Sequence, residues 1–114
     1  MANRVPAFND GLMEYGDIKT VRELGKFIKD EFVAQGFYYF GRLDARITDY
    51  AFVEGLGGSL DKKVRTPFSP LFLEVKPPKA FISGEVYDVV SIDWNADQTI
   101  LYWYLQKGDG ADGI

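Results

Sequence analysis

The chain contains neither cysteine nor histidine. Without cysteine it has no disulfide, no thiol nucleophile and no thiolate metal site, a composition that fits a reducing compartment. Without histidine it lacks the commonest general base and the commonest metal ligand, so a serine triad and a zinc hydrolase site are both excluded. Carboxylates, lysine, tyrosine and hydroxyl groups remain for catalysis. We therefore predict that the protein is not an enzyme and that it binds no metal and no cofactor.

Long apolar runs and an excess of positive charge are also missing. No segment approaches the roughly 20 apolar residues that a membrane helix needs, and Met1–Asp10 has no signal-peptide pattern, so we expect no membrane contact. The formal net charge of -4 argues against a dedicated nucleic-acid-binding domain, which usually carries a basic stripe. The charge is uneven, because residues 36–66 hold five basic and four acidic side chains whereas residues 67–114 hold three and seven.

Short apolar runs separated by glycine and proline are abundant. With 114 residues, 46% of them hydrophobic, the chain has material for one domain with an ordinary core. Its 12 glycines and 5 prolines lie between short apolar runs, which is typical of all-β chains. Strands are predicted at 36–43, 64–67, 85–94 and 99–106, the last two joined into a hairpin. We expect one domain over 1–107 and a disordered tail over 108–114.

The strand predicted at 99–106 has the clearest alternation. Leu101, Trp103 and Leu105 share one face, which predicts that they enter the core. Tyr102 and Tyr104 lie on the opposite face, where aromatic rings with polar tips are typical of interfaces. These two tyrosines are therefore candidate interface residues.

The segment 20–35 supports two interpretations. Thr20–Glu23 has the form of a capping box, and the apolar residues that follow lie near helical spacing, which favours a short helix. Gly25 weakens that helix. The alternative is a strand over 26–33, reached from an earlier strand over 12–21 through a turn near Leu24 and Gly25.

The segment between Ile47 and Leu60 is amphipathic at first and then rich in glycine. Gly55, Gly57 and Gly58 fall within four positions, which is typical of a hinge. The glycines lack the spacing of a phosphate-binding loop, so a flexible loop is the better interpretation. We expect it to be mobile in the isolated protein and ordered in an assembly.

Basic and aromatic residues in the middle of the chain permit an alternative function. Arg42 and Arg46 are predicted on one strand face, near Tyr38 and Phe40. The cations Lys62, Lys63 and Arg65 follow the glycine-rich segment. Such a set could form the stacking platform of a single-stranded nucleic-acid-binding β-barrel. By contrast, Asp88 and Asp93 are predicted on opposite strand faces and make no cation site.

Several segments follow one another in an order that is typical of one family. An aromatic strand ending near Ile47 precedes Asp49–Glu54, Asp61–Pro67, Ile82–Asp93 and Ile100–Leu105. This order resembles that of the head-closure, or head-tail joining, proteins of siphophages and their prophage relatives. The N-terminal Phe8–Gly11 is also similar, so the resemblance spans roughly residues 8–107 and rests on the order of its elements.

The resemblance implies a small antiparallel β-barrel with a long flexible loop between its central strands. In that family the protein forms a ring below the portal and adaptor, and the loop helps to close the DNA channel until the tail attaches. Carried onto this chain, the channel loop contains Asp49, Tyr50, Phe52, Glu54, Gly55, Gly57 and Gly58. Lys62, Lys63 and Arg65 join Tyr102 and Tyr104 as candidate interface residues. The implied partners are the adaptor, the tail completion protein, further copies of the chain and channel DNA, in the host cytoplasm during assembly and then in the virion.

Overall fold

Six β-strands and one α-helix make up residues 8–108, the part of the chain that the computed structural model describes. The strands are β1 (Gly11–Glu23), β2 (Lys26–Leu43), β3 (Lys62–Pro67), β4 (Lys79–Ile82), β5 (Glu85–Trp94) and β6 (Ile100–Lys107), and α1 is Ile47–Gly55. A 3-10 turn over Pro70–Leu73 precedes β4. The strands predicted at 36–43, 64–67, 85–94 and 99–106 coincide with parts of β2, β3, β5 and β6. The expected tail, apart from Gly108, lies outside the described residues.

Neighbouring strands are antiparallel and close into a barrel in the order β1, β2, β3, β6, β5, β4. The predicted hairpin of β5 and β6 is confirmed. A ladder from Met13 opposite Ile82 to Gly16 opposite Lys79 joins β1 to β4 and closes the sheet. Counted in either direction, β6 lies three strands from β1. The outer faces of β1 and β6 therefore point to opposite sides of the barrel.

Large apolar side chains from every strand fill the barrel. Leu101, Trp103 and Leu105 are fully buried, as their alternation predicts. Their cluster also contains Met13, Phe40, Val64, Phe72, Ala80, Ile82, Tyr87 and Val89. The Trp103 indole Nε1–H donates a hydrogen bond of 2.8 Å to Oγ1 of Thr66, and both residues are 0% exposed. This bond supplies the partner that a buried indole N–H requires.

The segment 20–35 belongs to two strands. β1 and β2 pair from Gly11 opposite Phe40 to Glu23 opposite Lys26. Leu24 and Gly25 form the turn, with φ of 54° and 78°. Two consecutive left-handed residues cannot continue a right-handed helix, and cross-strand pairing satisfies the backbone groups instead. The helix predicted in 20–35 is therefore wrong, and the two-strand alternative is confirmed.

The connection between β2 and β3 carries α1 where a long flexible loop was expected over 48–60. The helix ends in a Schellman motif, in which the Gly58 N–H donates to the Val53 carbonyl over 3.1 Å and the Gly57 N–H donates to the Glu54 carbonyl over 2.9 Å. Gly57 has φ of 86°, which glycine adopts without a steric penalty. The glycines therefore end a helix, and residues 48–55 are helical where a loop was expected, because this spacing suits a helix C-cap as well as a hinge.

A bulge in β5 changes the faces of its acidic residues. The register shifts between Val89 and Ser91, so that Asp88 pairs with Gln106 and Asp93 pairs with Tyr102. Gln106 and Tyr102 share the outer face of β6, and Asp88 and Asp93 therefore share a face. The prediction of opposite faces is wrong, because strict alternation takes no account of the extra residue. Asp88 is ion-paired with Lys79.

Candidate interaction surfaces

An ion pair fixes α1 to the outside of the barrel. Lys63 Nζ donates to Asp49 Oδ2 over 3.1 Å, with the two side chains 14% and 12% exposed. The Arg46 backbone N–H donates to the same oxygen over 2.8 Å. Burial alone would raise the pKa of the Asp49 carboxyl, but these hydrogen bonds and the charges of Lys63 and Arg46 lower it below its usual value. Asp49, predicted in the channel loop, is therefore an internal anchor.

Aromatic rings surround that anchor. The Lys63 ammonium lies 5.5 Å and 5.2 Å from the ring centroids of Tyr102 and Tyr104. Phe52 packs edge-on against Tyr104 with centroids 5.3 Å apart. Tyr104 is 7% exposed beneath the helix, and burial raises the pKa of its hydroxyl, with a contribution from the charges of Asp49 and Asp93. The prediction that Tyr104 is an outward interface residue is wrong, because α1 covers that face.

The other predicted interface residues form no separate basic patch. Lys62 and Arg65 are half-buried, and Tyr102 beside them is half-buried too. Lys62 Nζ lies 5.6 Å from the ring centroid of Tyr87. Lys63 belongs to the internal ion pair, so it contributes to the attachment of α1, and both Lys62 and Lys63 make cation–π contacts.

The side chains of the alternative nucleic-acid platform are not brought together. Phe40 is 1% exposed in the barrel core, and Tyr38 packs against the same core. Arg42 lies near the end of β2, whereas Arg46 lies beyond the strand as the N-cap of α1. The two arginines therefore do not share a strand face, and the Phe40 ring is not available for stacking, while Tyr38 is half-buried.

Four large apolar side chains of α1 are exposed, and together we call them the helix face. It consists of Ile47, Tyr50, Phe52 and Leu56, which are 87%, 46%, 44% and 56% exposed. Glu54, another predicted channel-loop residue, is exposed on the same helix. Exposed large apolar side chains gathered on one short element are typical of a contact site for another protein.

A second surface is the end of the β1–β2 hairpin, here called the arm (residues 17–35). Beyond Gly16, β1 pairs with β2 alone, and β2 joins β3 only over Gly41–Leu43. The arm is therefore a two-stranded ribbon with backbone groups unpaired along its outer edges. Such ribbons are marginally stable by themselves and readily pair with other chains. Leu24 at its end is 97% exposed.

The sequence contained one signal for the arm, since Leu24 and Gly25 were recognised as a turn under the strand alternative. The length of the two strands was not recognised. Phe27, Ile28 and Val33 are 53%, 50% and 42% exposed, so they have no buried face to impose alternation. Their spacing resembled that of a helix for this reason.

Between the arm and the barrel lies a cleft of about 690 Å³. Phe32 of the arm stacks on Phe81 of β4 with ring centroids 5.4 Å apart, and these rings form its apolar part. Its charged lining residues are Glu14, Lys29, Asp30, Glu31, Glu85 and Lys107. Sequence reasoning could not find this cleft, because it is made by residues far apart in the chain.

Within residues 8–108, no group of three or more carboxylates is placed to hold a metal ion, and no helix has the length and apolar character to cross a membrane. Comparison with models of known protein families finds no match to the chain, and neither does comparison with curated proteins. The proposed function therefore depends on the helix face, the arm and the cleft.

Proposed function

We propose that the chain is a structural subunit of a phage or prophage head-tail connector, which forms a ring below the portal and adaptor and offers a docking surface to the tail. The observation that carries the proposal is the separation of two exposed apolar surfaces. The helix face lies over β6, where α1 packs on Tyr104, whereas the arm continues β1 on the opposite side of the barrel. A connector subunit needs such different surfaces, because it contacts neighbouring copies through one set of patches and the adaptor or the tail through another.

In this proposal the helix face takes the place of the predicted channel loop. Its apolar side chains meet the adaptor or the tail completion protein, and its bulk narrows the DNA channel. A chain with a net charge of -4 repels DNA, which suits a closure that must later release the genome. Steric blockage requires no basic surface.

An interruption of the gene in its parent phage or prophage tests the proposal. We expect filled or DNA-losing heads and free tails in electron micrographs, with joining restored by the wild-type gene. Ile47→Ser combined with Leu56→Ser should fail to restore joining, since both residues are exposed and their loss leaves the barrel intact. Val75→Ser is the matched control, because Val75 is also 66% exposed but belongs to the segment before β4 and not to α1. Complete, infectious virions without the chain would overturn the proposal.

A further inference from the structure

The turn at the end of the arm contains a residue that does not suit its backbone conformation. Leu24 and Gly25 both have positive φ, as in a type I′ hairpin turn, where asparagine is preferred at the first central position. A leucine in this conformation is sterically unfavourable and, at 97% exposure, makes almost no contact that offsets the cost. Phe27 and Ile28 beside it are half-exposed. We call Arg22–Ile28 the tip.

The charge of the cleft is opposite in sign to that of the tip. Of its charged residues, Lys29 lies 3.6 Å from Glu31, and Lys107 lies 3.8 Å from Glu85. Glu14 and Asp30 remain as the acidic excess. The tip has two cations, Arg22 and Lys26, and one anion, Glu23, so its formal charge is +1. Glu23 is opposite Lys26 in the register, which leaves Arg22 as the uncompensated charge.

We propose that the tip of one copy of the chain seats in the cleft of the next copy. Leu24, Phe27 and Ile28 then cover the Phe32 and Phe81 rings, and Arg22 approaches Glu14 and Asp30. The apolar surfaces supply most of the contact energy, and the charges orient the tip. The proposal rests on the connector function for the purpose of the contact, and it names how neighbouring subunits join.

The occupant must come from another molecule. Lys29 lines the cleft, and an extended ribbon of about 3.3 Å per residue carries Leu24 more than about 15 Å further along the arm. Leu24, the most exposed residue of the tip, therefore does not reach its own cleft. Because tip and cleft are different patches of one chain, their contact is head-to-tail, and repetition generates a chain of copies or a ring. A weak contact suffices when a preassembled connector supplies the symmetry and raises the local concentration, so the free protein is monomeric when dilute and begins to associate as its concentration rises.

Disulfide trapping tests this contact. Because the natural chain has no cysteine, every disulfide that forms involves an introduced thiol. Leu24→Cys places a thiol on the tip, and Glu14→Cys places one in the cleft. Oxidation of the purified double variant should give a ladder of linked species well above the monomer. The matched control combines Leu24→Cys with Asp97→Cys, an exposed position in the β5–β6 turn.

A ladder from the cleft pair with several-fold less product from the control pair would support the contact. Equal yields from both pairs, or no product from either, would overturn it. Because Glu14→Cys could disturb β1, sedimentation of the wild type and of Leu24→Ser at rising concentration gives a second measurement. Self-association should weaken in the variant, and an unchanged profile would overturn the contact. Neither experiment contains a phage component. A negative result would therefore exclude the contact between copies, whereas infectious virions without the chain would exclude the connector function.

Discussion

Asp49 on α1 and Lys63 on β3 form an ion pair of 3.1 Å with both side chains nearly buried. The same carboxylate oxygen accepts the Arg46 backbone N–H at the start of the helix. One side chain therefore satisfies a helix terminus and attaches the helix to the barrel. The position of the helix face depends on this carboxylate.

Asp49→Asn should lower the free energy of unfolding at neutral pH by about 1–3 kcal/mol, because it leaves the Lys63 charge uncompensated. The loss should be smaller than for a fully buried pair, since asparagine keeps a hydrogen-bond acceptor. Urea denaturation measures the change. Glu54→Gln, on the exposed side of the same helix, is the control and should stay within about 0.5 kcal/mol of the wild type. Equal losses from the two substitutions would show that the ion pair does not hold the helix.

The contribution of Asp49 should disappear in acid. Its pKa is lowered in the folded protein, so the stabilisation is fully present above the unfolded-state pKa of about 3.9 and is lost as the pH falls through the lower folded-state value. The difference in stability between the wild type and Asp49→Asn should therefore be largest at neutral pH and should shrink as the pH falls below the unfolded-state pKa of about 3.9 and through the lower folded-state value. Denaturation curves across this range check the sign. A gap that persists unchanged in acid would contradict the assignment.

The core and the outer surfaces differ in how far the sequence determines them. Leu101, Trp103 and Leu105 were predicted correctly, because burial of one face imposes a period of two on the strand. The strands of the arm could not be predicted in this way, because their apolar residues are exposed and burial imposes no alternation on them. Tyr104 was assigned outward because alternation identifies an outer face without showing that a helix covers it. Gly57 serves a helix end through hydrogen bonds that composition does not reveal.

Thr66→Val removes the hydroxyl that accepts the buried hydrogen bond from Trp103 and that also donates to the Pro67 carbonyl over 3.2 Å. The substitution keeps the shape of the side chain but leaves the indole N–H without its partner, so it should cost about 1–3 kcal/mol of stability. Denaturation followed by tryptophan fluorescence measures it. Thr99→Val removes an exposed hydroxyl that accepts from the Asn95 side chain, and it should change stability by no more than about 0.5 kcal/mol. If both valine variants behave alike, the Trp103 bond is not a significant part of the core.

Gly16→Ala should disrupt the point at which the arm leaves the barrel. A Cβ there would lie 2.0 Å from the carbonyl oxygen of Val33, and this backbone atom cannot rotate away. We expect a loss of about 3 kcal/mol, because β1 and β2 must separate to accept the methyl group. Gly55→Ala has open space around it and sits in a helix, so it should gain up to about 1 kcal/mol. Thermal unfolding of the two variants compares them, and a Gly16→Ala protein as stable as the wild type would contradict the close approach.

Leu24→Asn should separate the stability of the monomer from its association. Asparagine is preferred in the left-handed conformation of the turn, so the variant should be more stable than the wild type by up to about 1 kcal/mol. It also removes the most exposed apolar side chain of the tip, so self-association in sedimentation experiments should weaken. Leu71→Asn is the control, because Leu71 is 60% exposed outside the arm and should leave association unchanged. If Leu24→Asn is more stable as a monomer but associates less than the wild type, the contact between copies explains why leucine occupies this turn. A variant that gains stability and still associates as well as the wild type would show that the leucine serves no contact between copies.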